Sequence, residues 1–306
     1  MREYILHLNS NEMTLLPKSV NSEDLLHNIT EISWDVLEIF KLYSHDIKDS
    51  LKFRNKLDIK NLQSGPVTKA DLEVSELIKK RIKDKYPSID WEFLSEEDKK
   101  ENMEKEFKSN WIWIIDPLDG TKDFINQTGE YAMHLALTFR KRVILGIVLI
   151  PHKEELWIFS QGKGTWCESK KYSEKKNFKM SSLTIDQLTV FTSKNHFHGE
   201  FENLLNKLSP KNIVGMGSVG YKVASILRGE GDIYISYSLP NGSSPKDWDM
   251  AAPSSLIKGA GGYFTDVYGK DIEFLKDNKY EQGGILLASL NENHKDICQL
   301  IRNRIY

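Results

Sequence analysis

Apolar positions recur with helical spacing early in the chain. Leu25, Leu26, Ile29, Ile32, Val36, Leu37, Ile39 and Phe40 fall on one side of a helix that Asn21 or Ser22 can cap. A polar, turn-prone stretch from Ser44 to Gly65 follows, with room for a short hairpin around Leu51 to Ile59. Leu72, Val74, Leu77, Ile78 and Ile82 then mark a second helix with Asp71 in its first turn. From there the character changes. Trp91 to Leu94 and Trp111 to Ile115 are runs of aromatic and β-branched residues that predict strands, and each stops at a carboxylate: the first at Ser95-Glu96-Glu97-Asp98, the second at Asp116. Tyr131 to Phe139, Val143 to Ile150 and Leu156 to Ser160, joined by short links, predict an antiparallel meander, and Gly162 and Gly164 turn the chain into Thr165 to Glu168.

Past the polar stretch from Ser169 to Lys179 the pattern becomes an alternation. Strands are expected at Leu188 to Ser193, near Ile213, and at Asp232 to Ser236, Gly262 to Thr265 and Gly284 to Ala288. Helices are expected at Phe201 to Leu208, Val219 to Leu227, Met250 to Lys258 and His294 to Arg302. Such alternation suggests an α/β layer. We place a boundary near residue 185, with an N-terminal α+β unit over 1–185 and a C-terminal α/β unit over 186–306.

Composition narrows the class by exclusion. With 306 residues the chain can bury a sizeable core, and 42 basic against 44 acidic residues leave a net charge of -2, which favours no nucleic-acid partner. The runs Lys79-Lys80-Arg81 and Lys170 to Lys176 read as solvated faces. Cys167 and Cys298 lie far apart without metal-ligand spacing, against a disulfide framework or a zinc site. The N-terminal apolar run is too short for a signal peptide, and no stretch approaches a membrane span. The expectation is a soluble protein of a reducing cytoplasm.

Candidate chemistry gathers around WIWIIDPLDGTKDF, Trp111 to Phe124. Pro117 biases Asp116 toward an extended conformation and Gly120 permits a tight turn, so Asp116 and Asp119 can face one small volume, where two anions need a cation. Asp, Pro and Gly are also ordinary turn residues. Two other acidic stretches set this one apart from a plain turn: Glu96-Glu97 before it, and KDWDMAAP, Lys246 to Pro253, far downstream. Taken singly, Asp71 is an Asp favoured by a helix dipole and Asp249 a helix cap. Asp247 reads as a surface carboxylate, and Ala260-Gly261-Gly262 as a tight helix-to-strand turn.

With VTKAD, LSEED, DPLDGTKDF, GSVGYK and WDMAAPSSLIKGAGGYFTD in view, roughly residues 65 to 290 resemble the lithium-sensitive, magnesium-dependent phosphatase superfamily that includes inositol monophosphatase. LSEED, GTKDF followed by GEYAMHLAL, and the SKNH and GS-to-Lys stretches look most like the bacterial 3'(2'),5'-bisphosphate nucleotidases. The resemblance implies an inositol-monophosphatase-like layered αβαβα sandwich, α+β in its first part and α/β in its second, with the site between them. It implies that Glu96, Asp116, Asp119, Asp249 and the Leu118 carbonyl hold two or three Mg²⁺ ions. Four carboxylates brought together would repel by several kcal/mol, which hard divalent cations with oxygen ligands resolve.

By the same resemblance, Asp71 and Thr121 orient and deprotonate the attacking water. The phosphate rests on the N–H groups of Gly120 and Thr121, and Ser193, His196, Gly217, Ser218 and Lys222 contact the nucleotide, Lys222 at the phosphate that is not cleaved. Some members place one fewer residue between Ser and Lys than GSVGYK does. The implied substrate is a small nucleotide bisphosphate, 3'-phosphoadenosine 5'-phosphate or its sulfated form, and the implied role is clearing a by-product of sulfate activation. Lithium sensitivity is also implied, and a homodimer is left open. An inositol monophosphatase or fructose-1,6-bisphosphatase-type enzyme shares the metal machinery, although Ser236 to Lys246 lacks the acidic residue inositol monophosphatases often carry there. A catalytically inactive metal- and nucleotide-binding sensor would need the ligands without Asp71 and Thr121, and this chain has both.

Overall fold

The structure is a computed structural model, which describes residues 15–49, 60–62, 65–67, 69–98, 106–170, 178–194, 199–238, 244–276 and 280–305. Helices α1 (Ser22–Asp49) and α2 (Lys69–Lys85) form the first layer. The Asn21 side chain accepts from the N–H groups of Glu23 and Asp24 and so caps α1. The helix then runs on through Ser44 to Asp49, where the polar sequence predicts a turn. The buried face before it carries the polar turns along, because a helix once nucleated extends at little cost. The expected hairpin at Leu51 to Ile59 lies outside the described residues; the short antiparallel pair that is described joins β1 (Lys60–Leu62) to β2 (Gly65–Val67).

The second layer is a six-stranded sheet in the order β3 (Glu92–Ser95), β4 (Trp111–Asp119), β5 (Ala132–Phe139), β6 (Arg142–Ile150), β7 (Glu155–Ser160) and β8 (Gly164–Ser169). β3 pairs parallel to β4, and the rest is the expected antiparallel meander. Both faces are apolar because both are covered. In β4, Trp113 and Ile115 join the core under α1 and α2, whereas Ile112 and Ile114 join the core on the other face, as the period of two dictates.

The later elements are β9 (Thr189–Ser193), α4 (Glu200–Leu208), β10 (Asn212–Met216), α5 (Val219–Arg228), β11 (Ile233–Ser238), α6 (Asp247–Gly259), β12 (Tyr263–Asp266), β13 (Gly284–Ser289) and α7 (His294–Ile305), with the five-residue helix α3 (Thr121–Ile125) earlier in the chain. The strands form a mixed sheet in the order β10-β9-β11-β13-β12. Helices α5 and α6 are sandwiched between the two sheets: Val223, Ala224, Met250 and Leu256 share one core with Ile114 and Val148 of the first sheet and Phe191 and Tyr234 of the second. Phe201 and Leu205 of α4 and Ile297 and Ile301 of α7 cover the outer face of the second sheet. The order of layers is therefore helix, sheet, helix, sheet, helix. Gly146 sets the fit at the centre, since a Cβ there would stand 2.0 Å from the Ser255 hydroxyl of α6. No helix among the described residues is long and apolar enough to cross a membrane.

Candidate active site

The parallel pairing of β3 with β4 puts Ser95 beside Ile115, and the Glu96 N–H donates to the Ile115 carbonyl at 3.1 Å. Glu96 and Asp116 thus leave neighbouring strands at one edge of the sheet. β4 does not end at Asp116, as the sequence suggests, but continues to Asp119 through an irregularity: Asp116 pairs with His134 and pairing resumes at Asp119 with Ala132. Pro117 can donate no ladder hydrogen bond, so the strand bulges there. The Asp116 side chain accepts the Leu118 N–H at 3.1 Å inside the bulge. Gly120 then takes φ +90°, a left-handed conformation that turns the chain into α3. Thr121 opens α3, and its hydroxyl donates to the Leu118 carbonyl at 3.2 Å.

Two helices of the second half close over this edge. The Asp119 Oδ2 accepts the Val219 N–H at the start of α5, at 2.5 Å. Asp249, in the first turn of α6, accepts the Lys246 N–H at 2.5 Å. Asp71, Glu96, Glu97, Asp116, Asp119 and Asp249 all line one cavity of about 490 Å³. Leu118, Gly120, Thr121, Ser193, Gly217 and Lys222 line it as well. Ser218 stands apart from these. It is fully buried, and its hydroxyl caps α5 by accepting the Tyr221 N–H. His196 lies outside the described residues.

Crowded carboxylates make the cavity strongly favour positive charge. Burial first, then the charges of Glu96, Asp119 and Asp249, hold Asp116 well above the usual carboxylate range. Burial, then Asp249, Asp71 and Glu97, does the same to Glu96. Burial and Asp119 push Asp249 up to about 7, and burial pushes Glu97 up to about 7. The buried Oδ2 of Asp116 has no hydrogen-bond partner among the described residues. An oxygen-rich, anionic pocket with an orphaned carboxylate oxygen fits a hard divalent cation.

Lys222 is 1% exposed, donates to the Gly217 carbonyl, and lies 5.2 Å from the centre of the Tyr234 ring. Burial lowers its pKa to about 8 against the pull of Asp119, Asp123, Glu130 and Asp249. Asp247 is no surface carboxylate: it is fully buried and accepts the Leu275 N–H and the Gln282 side-chain N–H, each at 2.6 Å, which pins the chain beyond β12 to the start of α6. Asp98 is tied down as well, pairing with Lys79 at 2.6 Å. The sequence reading passes over His134, which sits behind the carboxylates on β5. Its Nδ1 is 3.8 Å from Asp116 Oδ2 and its Nε2 3.4 Å from Asp119 Oδ2. The signal was a histidine inside an otherwise apolar strand. Burial lowers its pKa, opposed by Asp119.

A family model described as "Inositol monophosphatase family" matches residues 24–306. The chain is 27% identical over 235 residues to 3'(2'),5'-bisphosphate nucleotidase CysQ of Escherichia coli (strain K12), covering 75% of this chain and 88% of the other. It is 24% identical over 260 residues to inositol monophosphatase 1 of Rattus norvegicus, covering 84% and 91%. Among solved structures, the extragenic suppressor protein suhB from Bartonella henselae superposes with a TM-score of 0.71 at 19% identity, over 91% of this chain and 98% of that one.

Proposed function

The chain belongs to the inositol monophosphatase family, and we propose that it is a Mg²⁺-dependent phosphomonoesterase that removes the 3'-phosphate of 3'-phosphoadenosine 5'-phosphate or its sulfated form. The observation that carries the reading is the convergence of Glu96, Asp116, Asp119 and Asp249 on one cavity that also holds the buried cation of Lys222. Such a pocket offers carboxylates for metal and a reacting phosphate together with a fixed positive charge for a second phosphate. A polyol monophosphate has no use for the latter. Similarity to several curated 3'(2'),5'-bisphosphate nucleotidases supports the same choice.

Glu96, Asp116, Asp119, Asp249 and the Leu118 carbonyl would hold the cations. Bound there, Mg²⁺ supplies a lowered water pKa and charge stabilisation for the attacking and leaving oxygens. Asp71, 3% exposed at the cavity wall, accepts the proton of the attacking water, with the Thr121 hydroxyl, which lines the same cavity, orienting that water. The N–H groups of Gly120 and Thr121 hold the phosphate oxygens. Lys222, already desolvated and fixed by the Gly217 carbonyl, pairs with the phosphate that stays.

The test is phosphate release from 3'-phosphoadenosine 5'-phosphate with and without Mg²⁺, beside inositol 1-phosphate and fructose 1,6-bisphosphate. Mg²⁺-dependent release with preference for the nucleotide is expected. Preference for inositol 1-phosphate would keep the metal chemistry and reject the nucleotide. Tight nucleotide binding without release from any ester would make the chain a binding protein.

A further inference from the structure

His134 is 1% exposed, and its Nδ1 lies 3.4 Å from the carbonyl oxygen of Trp248, an atom that can only accept. In the tautomer protonated at Nδ1, that nitrogen donates to the carbonyl and Nε2 presents a bare electron pair. That pair lies 3.4 Å from Asp119 Oδ2. Neither Nε2 nor the nearby Asp116 Oδ2 has a hydrogen-bond partner among the described residues. In that tautomer the lone pair of Nε2 faces an anionic oxygen that takes only the Val219 N–H among the described residues, and a cation between them removes the repulsion.

We propose that Nε2 of His134 is a nitrogen ligand of a divalent cation shared with Asp116 and Asp119. One ligand atom from each of the three residues can be chosen so that all lie within 4.8 Å of one another. Neighbouring ligands about 2.1 Å from one octahedral ion stand about 3 Å apart, so the separation of Nε2 from Asp119 needs little closing. An imidazole whose other nitrogen donates to a backbone carbonyl has the usual support of a metal-bound histidine. Helix α5 leaves room for it only because residue 220 is glycine, as a Cβ there would stand 2.2 Å from Nε2. A mixed oxygen and nitrogen donor set favours Mn²⁺, Co²⁺ or Zn²⁺ relative to Mg²⁺. The inference rests on the proposed reading that these carboxylates hold metal, and adds a ligand outside the acidic motifs.

Pulsed electron paramagnetic resonance of the full chain loaded with Mn²⁺ decides it. The wild-type protein is expected to show nitrogen hyperfine modulation from a directly bound imidazole, absent in His134→Asn and His134→Gln. The Mn²⁺ dissociation constant, titrated through the signal of the free ion, should rise roughly 10-fold or more in both variants, with a smaller change for Mg²⁺ measured by competition. Bound Mn²⁺ without nitrogen coupling in the wild type overturns the inference, leaving the metal reading intact and His134 as packing behind Asp119. No bound Mn²⁺ at all overturns both. The wild-type spectrum decides even where a variant folds poorly.

Discussion

Each carboxylate of the site sits where a local rule places it, and its function comes from what the rest of the fold brings beside it. Asp71 is an ordinary first-turn aspartate of α2 until the end of β3 sets Glu96 next to it. Its proposed role as base predicts that Asp71→Asn lowers kcat by about 10²–10⁴-fold while the KM for 3'-phosphoadenosine 5'-phosphate stays near wild type, measured by phosphate release. Unchanged turnover would remove Asp71 from the reaction. At this scale the motifs that carry Asp116 and Asp119 were legible, because strand-ending carboxylates beside proline and glycine leave a sequence signature. The burial of Asp247 was not. An aspartate at a helix start looks like a surface group until Gln282, far away in sequence, closes over it.

At the scale of elements, the junctions between strands and helices hold the site. Gly217 links β10 to α5, and a Cβ there would meet the Asp123 carboxylate and the Glu130 carbonyl at 2.4 Å. Gly217→Ala should therefore lose about 1–3 kcal/mol of stability in urea titration and also lower activity, since the Gly217 carbonyl it displaces accepts from Lys222. Helix α5 is tied to the first sheet at its other end. There Arg228 pairs with Glu155 of β7 at 2.7 Å, the two side chains 6% and 3% exposed, and Trp157 donates to the same carboxylate at 3.0 Å. Arg228→Ala, which strips a buried carboxylate of its cation, should cost about 3–5 kcal/mol; adding Glu155→Leu should recover part of it, read from the same titrations as a double-mutant cycle. Most of these elements were legible from hydrophobic period. The misreadings fall where tertiary contacts override it: α1 runs into polar sequence, and β4 passes through its proline because β5 picks up the ladder again at Ala132.

Over the whole molecule, the site is a store of electrostatic strain that a bound cation would relieve. Glu96, Asp116 and Asp249 all have raised pKa values in the folded state, Asp249 reaching about 7 from 3.8. The folded protein thus binds these protons more tightly than the unfolded chain does. The stability they contribute is present in full below about pH 4 and is lost as pH rises, for Asp249 through about 7. His294 works in the opposite direction: burial lowers it to about 4, so stability is lost as pH falls below its unfolded value of 6.5. Comparing melting temperatures with and without Mg²⁺ at each pH cancels the histidine. The Mg²⁺-induced rise should grow steadily from pH 5 to pH 8, because cations replace protons only where the carboxylates are ionised. A rise independent of pH would place the ion elsewhere. The α/β character of the second half followed from the alternation in the sequence, but that α5 and α6 lie between the sheets did not, since Lys222, Ser225, Ser254 and Ser255 are polar residues that the fold buries.

The placement of α6 has a further consequence for how the protein is made. Asp249 follows Asp119 by 130 residues, so at about 5–20 residues per second roughly ten seconds of translation separate them. During that interval the nascent chain already carries Asp71, Glu96, Asp116 and Asp119 but not the helix that covers Ile114 and Val148. The emerging sheet has a bare greasy face and an incomplete acidic edge, a combination that invites chaperone holding until α6 leaves the ribosome.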